Sequence, residues 1–244
     1  MTTVALFEIN PELDRRALAT KFSADGRLQI RNILTDQTAQ EIQKILIKQT
    51  PWGIGWQGGT NGPHGARADE IAAMTDGQRQ NIGETVNQAM IDGDYAFMFG
   101  QYRMLDAYLG QWDSGGPHDL LLEHLNADPF LSLVREITGD ESLIKADGQA
   151  TLYAPGHFLG VHDDSHVAEG WKIAYVLNLT IGDWRPEWGG YLNFLDEDGD
   201  VITGFRPRFN ALNLFRVPQR HEVTFVPPFA PAGRLAITGW LRDR

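Results

Sequence analysis

After residue 140 the sequence breaks into short runs of β-branched and aromatic residues, at 150–153, 172–179, 191–195, 201–205, 211–215, 222–226 and 235–240, separated by Gly, Pro and Asp turns. Seven strands this closely spaced imply an antiparallel sandwich or jelly roll. The Asp196-Glu197-Asp198-Gly199-Asp200 stretch is a strong hairpin turn between two of them. Two earlier runs, at 27–33 and 95–105, are expected to extend the sheet. Elsewhere before residue 140 helical signals prevail. Ile42, Ile45 and Leu46 recur at helical spacing after Thr35 and a Thr38/Glu41 capping-box pattern, and 119–136 carries apolar residues in helical clusters. The expected fold class is mainly β with a helical buttress. Residues 1–140 form a helical and strand support region and 141–244 the jelly-roll core, joined in one integrated domain because no repeat or Pro/Ser-rich linker divides them.

The 244 residues suffice for a sizeable core, and 42% hydrophobic residues with 26 Gly and 12 Pro describe a globular chain with many turns. Cysteine is absent, which excludes disulfides, thiolate nucleophiles and zinc-thiolate sites, so any metal must sit on nitrogen and oxygen ligands. The net charge of −11 argues against a nucleic-acid partner. Arg206, Arg208, Arg216 and Arg220 gather in the last third of this acidic chain; solvated strand edges explain them, and an acidic partner is the sharper alternative. No run of eighteen apolar residues suggests a membrane span, and the N-terminus reaches Glu8 and Asp14 without an apolar signal core, so a cytoplasmic protein is expected. The stretch 52–74, rich in Gly and opened by Trp52 and Trp56, reads as a long irregular loop: a lid, or a surface loop anchored by tryptophan.

Of seven histidines, only His162 is followed two residues later by an acid, in Gly160-Val161-His162-Asp163-Asp164. Where a strand ends, H-x-D aims an imidazole and a carboxylate at one point, because residues i and i+2 of an extended chain share a face. His221 opens a predicted strand that can lie beside the one ending in this motif. Two His and one carboxylate on one face leave open positions on a metal, the arrangement of non-haem Fe(II) oxygenases. Alone, H-x-D is a weak signal, satisfied equally by a turn-stabilising pair. Thirteen residues after His221, Arg234 leads an otherwise apolar strand. Buried there it would need an anion, and its planar fork suits a carboxylate; otherwise it is an exposed strand-end charge.

The order of elements resembles the prolyl-4-hydroxylase-like branch of the 2-oxoglutarate/Fe(II) dioxygenases, including the hypoxia-sensing and ribosomal-protein prolyl hydroxylases. The resemblance runs through Tyr153 with Gly156, His162-Asp163-Asp164, Tyr175-Val176-Leu177-Asn178, Trp184 with Gly189-Gly190-Tyr191-Leu192, His221-Glu222-Val223 and Arg234 to Trp240. It implies a double-stranded β-helix core and Fe(II) on His162, Asp164 and His221. It further implies 2-oxoglutarate held at its far carboxylate by Arg234 with Tyr153 and Thr238, and ascorbate in support. The implied activity is hydroxylation of a C–H bond, foremost of a prolyl residue in a protein or peptide, with succinate and CO2 as coproducts. No catalytic side chain beyond the metal ligands is implied. The Pro227-Pro228-Phe229-Ala230-Pro231 stretch makes the interval from His221 to Arg234 longer than in the hypoxia-type enzymes.

A hydroxylase of a free amino acid and a jelly-roll module that binds metal without turnover are the alternatives. His157 and His166 read as exposed loop histidines, Asp163 as a turn residue, and Trp184 and Trp240 as core aromatics. Gly189 and Gly190 read as a tight turn or bulge, and Asn178 as internally hydrogen-bonded. The sequence leaves substrate and oligomeric state open.

Overall fold

The computed structural model describes residues 6–165 and 167–244. Its thirteen strands are β1 (Arg27–Arg31), β2 (Gly53–Gly58), β3 (Asn61–Ala66), β4 (Ala96–Tyr102), β5 (Lys145–Ala146), β6 (Gln149–Tyr153), β7 (Phe158–His162), β8 (Trp171–Leu179), β9 (Leu192–Leu195), β10 (Val201–Phe205), β11 (Phe209–Arg216), β12 (His221–Val223) and β13 (Arg234–Arg242). Seven helices accompany them: α1 (Arg15–Asp25), α2 (Asp36–Lys48), α3 (Ala68–Ala73), α4 (Asp76–Ile91), α5 (Met104–Leu109), α6 (Pro117–Leu125) and α7 (Asp128–Thr138).

Every strand pairing is antiparallel, in the order β1-β11-β8-β13-β6-β4-β7-β12-β9-β10, with β2 and β3 added beside β4 and β5 beside β13. This long sheet curls on itself. Phe194 of β9 packs in one cluster with Ala174 and Val176 of β8 and Ala236 of β13, although β9 lies far along the hydrogen-bonded order. The result is the expected jelly roll, a double-stranded β-helix.

The two-residue period of β13 sorts its side chains between two environments. Leu235, Ile237 and Leu241 join the core formed with Leu122 and Leu125 of α6 and Phe130 and Val134 of α7. Arg234, Thr238 and Trp240 line the internal cavity on the opposite face. Helix α7 is specified locally. Its buried stripe comprises Phe130, Leu131, Leu133, Val134 and Ile137, and it stops at Gly139, whose φ of 69° suits a residue without Cβ and whose N–H donates to the Arg135 carbonyl.

Several sequence expectations need correction. Helix α2 begins at Asp36 with Thr35 as its N-cap, so Thr38 lies inside the helix and buried, and Glu41 pairs with Lys44 at 3.2 Å; no capping box forms from Thr38 and Glu41. The stretch 52–74 is no irregular loop. It builds the β2–β3 hairpin, with β2 hydrogen-bonded to both β3 and β4, followed by α3. Its glycines permit close backbone approach: a Cβ on Gly58 would sit 2.8 Å from the Thr85 carbonyl oxygen. The first five residues of the N-terminus, used above in expecting no signal segment, and His166 lie outside the described residues. Among the described residues no helix is long and apolar enough to cross a membrane.

The two-faced role of β13 has a measurable consequence. Ile237 is 0% exposed in the helical core, so Ile237→Ala should cost about 2–5 kcal/mol in a urea titration. Ile202 of β10 is 53% exposed, and Ile202→Ala should stay within about 0.5 kcal/mol of the parent protein. Similar losses at both sites would contradict this assignment of faces.

Candidate metal and cosubstrate site

Strands β7 and β12 pair antiparallel with His162 directly opposite His221, which brings the two imidazole rings to 4.1 Å between centroids. The chain leaves β7 at His162, and Asp164 adopts φ 59°, a left-handed conformation that Asp tolerates better than most residues. The carboxylate thereby returns toward the histidines. Its Oδ1 lies 3.3 Å from His162 Nε2 and its Oδ2 3.5 Å from His221 Nε2. Convergence thus comes from a turn after the strand, where the i, i+2 argument had assumed an extended chain. Asp163 shapes that turn: its Oδ1 accepts from the Ser165 N–H at 3.1 Å and hydroxyl at 2.9 Å.

Each histidine is held by its own strand. His162 Nδ1 lies 2.9 Å from the Gly160 carbonyl and His221 Nδ1 lies 2.7 Å from the Gln219 carbonyl. A carbonyl only accepts, so both Nδ1 atoms carry hydrogen, and both Nε2 atoms face the Asp164 carboxylate. One ligand atom from each of the three residues falls within 4.8 Å of the others, a set able to hold a metal ion. Burial works against charge on all three. It holds His221 down at about 4, with the neighbouring His162 adding to the effect. For His162 burial is outweighed by the hydrogen bond and charge of Asp164, leaving it above its ordinary value. For Asp164 burial is likewise outweighed by His162 and His221, so it stays below the usual carboxylate range.

The same cavity, of about 1260 Å3, is lined by Arg234, Tyr153 and Thr238. The long 227–231 interval does not turn Arg234 outward. Arg234 opens β13 opposite Tyr153 of β6, is 1% exposed, and carries its guanidinium carbon 5.2 Å from the centre of the Tyr153 ring. Its Nε and Nη1 are buried without a hydrogen-bond partner. Burial lowers its pKa to about 10, eased only by Tyr153. An unpaired buried cation of this kind calls for an anion with two acceptor oxygens. The other basic residues nearby in sequence serve elsewhere: Lys172 pairs with Asp243 at 3.2 Å, and Arg216 donates to the Thr138 carbonyl.

Other residues meet the sequence expectations unevenly. Trp184 is 2% exposed in the core, Gly189 and Gly190 take φ 61° and 67° in a tight turn, and Asn178 donates to the Val176 and Ala211 carbonyls. His157 is no exposed loop residue; half-buried, it closes the 154–157 turn by accepting at Nδ1 from the Ala154 N–H. Trp240 is more than a core aromatic. It stacks on Trp171 at 3.9 Å and donates its indole N–H to Asp164 Oδ2 at 3.0 Å. Its even spacing from Arg234 and Thr238 already placed it on their face of β13. Tyr95 was missed: its ring lies 6.2 Å from that of His162, and burial, then the charge of Asp164, pushes its hydroxyl up to about 12. No signal near the motif could have found it. Gln57 and His64 of the β2–β3 hairpin also line the cavity.

With this geometry in view, residues 148–242 match the family model described as the 2OG-Fe(II) oxygenase superfamily. This match takes in the strands that carry His162, His221 and Arg234 and the turn that carries Asp164. The enzyme is a dioxygenase whose cofactors are Fe(II) and 2-oxoglutarate. Its residues fit both groups, with three converging nitrogen and oxygen donors for the one and an unpaired buried guanidinium for the other. No curated protein matches the chain by sequence. Among solved structures, a Pseudomonas putida prolyl-4-hydroxylase is 18% identical with a TM-score of 0.59, covering 94% of this chain and 99% of its own. A Trichoplax adhaerens prolyl hydroxylase in complex with a hypoxia-inducible-factor oxygen degradation domain peptide fragment is 16% identical at TM-score 0.62, covering 94% and 89%. A non-heme α-ketoglutarate-dependent epimerase from nogalamycin biosynthesis is 14% identical at TM-score 0.57, covering 94% and 82%. At these identities the likeness is one of fold.

The positions of the two adjacent aspartates make a sharp test. Asp163→Asn should leave Fe(II) affinity nearly intact, because the turn hydrogen bonds survive on the amide oxygen. Asp164→Asn should weaken it well over tenfold, about 1.4 kcal/mol or more, by calorimetric titration under anaerobic conditions. Equal losses would contradict the assignment of Asp164 as the carboxylate that faces the metal.

Proposed function

We propose that the enzyme hydroxylates a C–H bond of a prolyl residue in a protein or peptide, with succinate and CO2 as coproducts. In this reading His162, Asp164 and His221 hold the iron, and Arg234, Tyr153 and Thr238 bind the far carboxylate of 2-oxoglutarate. The observation that carries it is the buried, unpaired guanidinium of Arg234 in the same cavity as the His-Asp-His cluster. A cluster that only stored metal would have no use for that cation, which speaks against a module without turnover.

Iron bound with 2-oxoglutarate supplies dioxygen activation coupled to oxidative decarboxylation. The chain's own residues position and shield. The Arg234 fork presents two donors to a carboxylate. Tyr153 lies against that guanidinium, and the stacked Phe97, Phe99 and Tyr153 rings form an apolar wall that excludes water. Thr238 reaches the cavity from the same face of β13 as Arg234. Trp240 orients the Asp164 carboxylate from behind through its indole hydrogen bond. No side chain is required as general acid or base.

A macromolecular substrate is supported by the size of the cavity, about 1260 Å3, which exceeds the usual range for small-molecule sites and extends to the β2–β3 hairpin. The peptide-bound prolyl hydroxylase among the structural neighbours supports the same choice. The hairpin then acts as a lid over the substrate. Its outer strand β3, exposed from Asn61 to Gly65, is the part expected to gain protection when substrate binds.

Proline-containing peptides, screened beside free proline and other free amino acids and read by succinate formation and mass shift, should support turnover where the free amino acids do not. Turnover of a free amino acid alone would sink the peptide reading and leave the dioxygenase intact. Hydrogen exchange with a turned-over peptide should slow in 61–66; unchanged exchange there would remove the lid role.

The two halves of the site should also separate by mutation. Arg234→Ala should leave Fe(II) affinity near normal and raise the apparent 2-oxoglutarate dissociation constant at least about tenfold, since hydrogen bonds to charged groups contribute about 1.5–3 kcal/mol. Arg234→Lys should restore only part, because a point charge replaces a planar fork. His162→Ala should instead lose the metal, and with it the absorption band of the iron-bound cosubstrate. Normal 2-oxoglutarate binding in Arg234→Ala would overturn the cosubstrate assignment.

A further inference from the structure

A second hollow, of about 240 Å3, lies away from the metal-facing residues and is lined by Arg31, Arg206, Arg208 and Asp183. Arg31 ends β1, Arg206 and Arg208 flank the buried Pro207 between β10 and β11, and Asp183 follows β8. Three guanidiniums against one carboxylate leave two net positive charges in a protein whose overall charge is −11. In such a chain, concentrated positive charge needs a local reason.

The arginines are also held in place. Gln29 of β1 donates its Nε2 to the Arg206 carbonyl and to Asn213 Oδ1, both at 2.9 Å, while its Oε1 accepts from Arg208 Nε at 3.0 Å. One glutamine thus fixes both the strap carrying Arg206 and the fork of Arg208. Arg206 Nε is shielded from solvent and has no hydrogen-bond partner. Arg208 is destabilised as a cation by its burial and then by Arg206 and Arg31, with Tyr191 and then Asp183 compensating in part. Pre-organised guanidiniums that repel one another and leave a shielded donor unmet form a receptor for an anion.

We propose that this hollow binds an oxoanion, a dianionic phosphate group, whose two charges match the net charge of the site. Arginine forks fit the oxygens of such a group bidentately, and the shielded Arg206 N–H gains its missing acceptor. Asp183 opposes any anion there, which disfavours weak monoanions. Trp184 forms the floor shared with the catalytic region, since it lines this hollow and also packs in the cluster with Tyr153.

The test is calorimetric titration of the full chain, loaded with Fe(II) and 2-oxoglutarate, with inorganic phosphate at pH 8 and constant ionic strength. Saturable binding is expected, with acetate much weaker. Arg31→Gln and Arg206→Gln should each weaken phosphate at least about tenfold, whereas Arg79→Gln, on an exposed helix, should not. Arg31 is exposed, so its replacement is not expected to disturb folding, and Arg31→Lys should recover part of the loss. Binding no tighter than acetate, or identical in Arg31→Gln and the parent protein, overturns the proposal. So does phosphate binding that disappears in Arg234→Gln but survives Arg206→Gln, which would locate the anion in the cosubstrate cavity.

Discussion

Strand β13 is the member on which both halves of the molecule depend. It is hydrogen-bonded to β8 on one side and to β6 on the other, and its alternation sends Leu235, Ile237 and Leu241 into the helical core while Arg234, Thr238 and Trp240 face the cavity. Burial of aliphatic side chains on one face provides the rigidity that positions polar groups on the other. The register cannot slip by one residue without exchanging the two sets. The residue that opens the strand is therefore oriented by the same packing energy that stabilises the fold.

Holding Arg234 in that place carries a cost of its own. A cation 1% exposed, with Nε and Nη1 unpaired, loses hydration without recovering a hydrogen bond. The β8–β13–β6 ladder bears that cost because many buried contacts oppose outward rotation of one side chain. The His-Asp-His cluster is gentler in this respect, since each imidazole N–H and each carboxylate oxygen already has a partner. One part of the cavity is thus electrostatically settled and the other is left wanting an anion, an asymmetry that favours binding a charged molecule in one orientation.

Much of this was legible in the sequence because period-2 patterning and turn residues are local. The strands from β8 to β13 and the hairpin turn at 196–200 follow from them, whereas the cavity positions of Arg234 and Thr238 came only from the family resemblance. The β2–β3 hairpin was hidden because Gly53, Gly55, Gly58 and Gly65 replace β-formers with residues chosen for close backbone packing, which a propensity reading takes for a loop. Strand β7 was legible only through the H-x-D motif that ends it, for it is short, half-exposed and interrupted by Gly160, a position where a Cβ would meet the Ala96 carbonyl at 2.7 Å. Tyr95 and the Gln29 clamp arise from pairings between distant segments, and no single-chain pattern announces those. The capping pattern at Thr38 and Glu41 misled for the converse reason: a local motif was overridden by a helix that starts one turn earlier at Thr35.

The direct apposition of His162 and His221 also governs when the site comes into being. The two residues belong to strands separated in sequence by β8 through β11, so their pairing closes a long loop, and closure entropy delays it until the intervening ladder can hold the ends together. In a partly folded chain the local turn brings Asp164 beside His162 without the third donor, His221. On the proposed assignment of these three residues to iron, tight metal capture would report completion of the sheet and belong to the finished protein, not the nascent one.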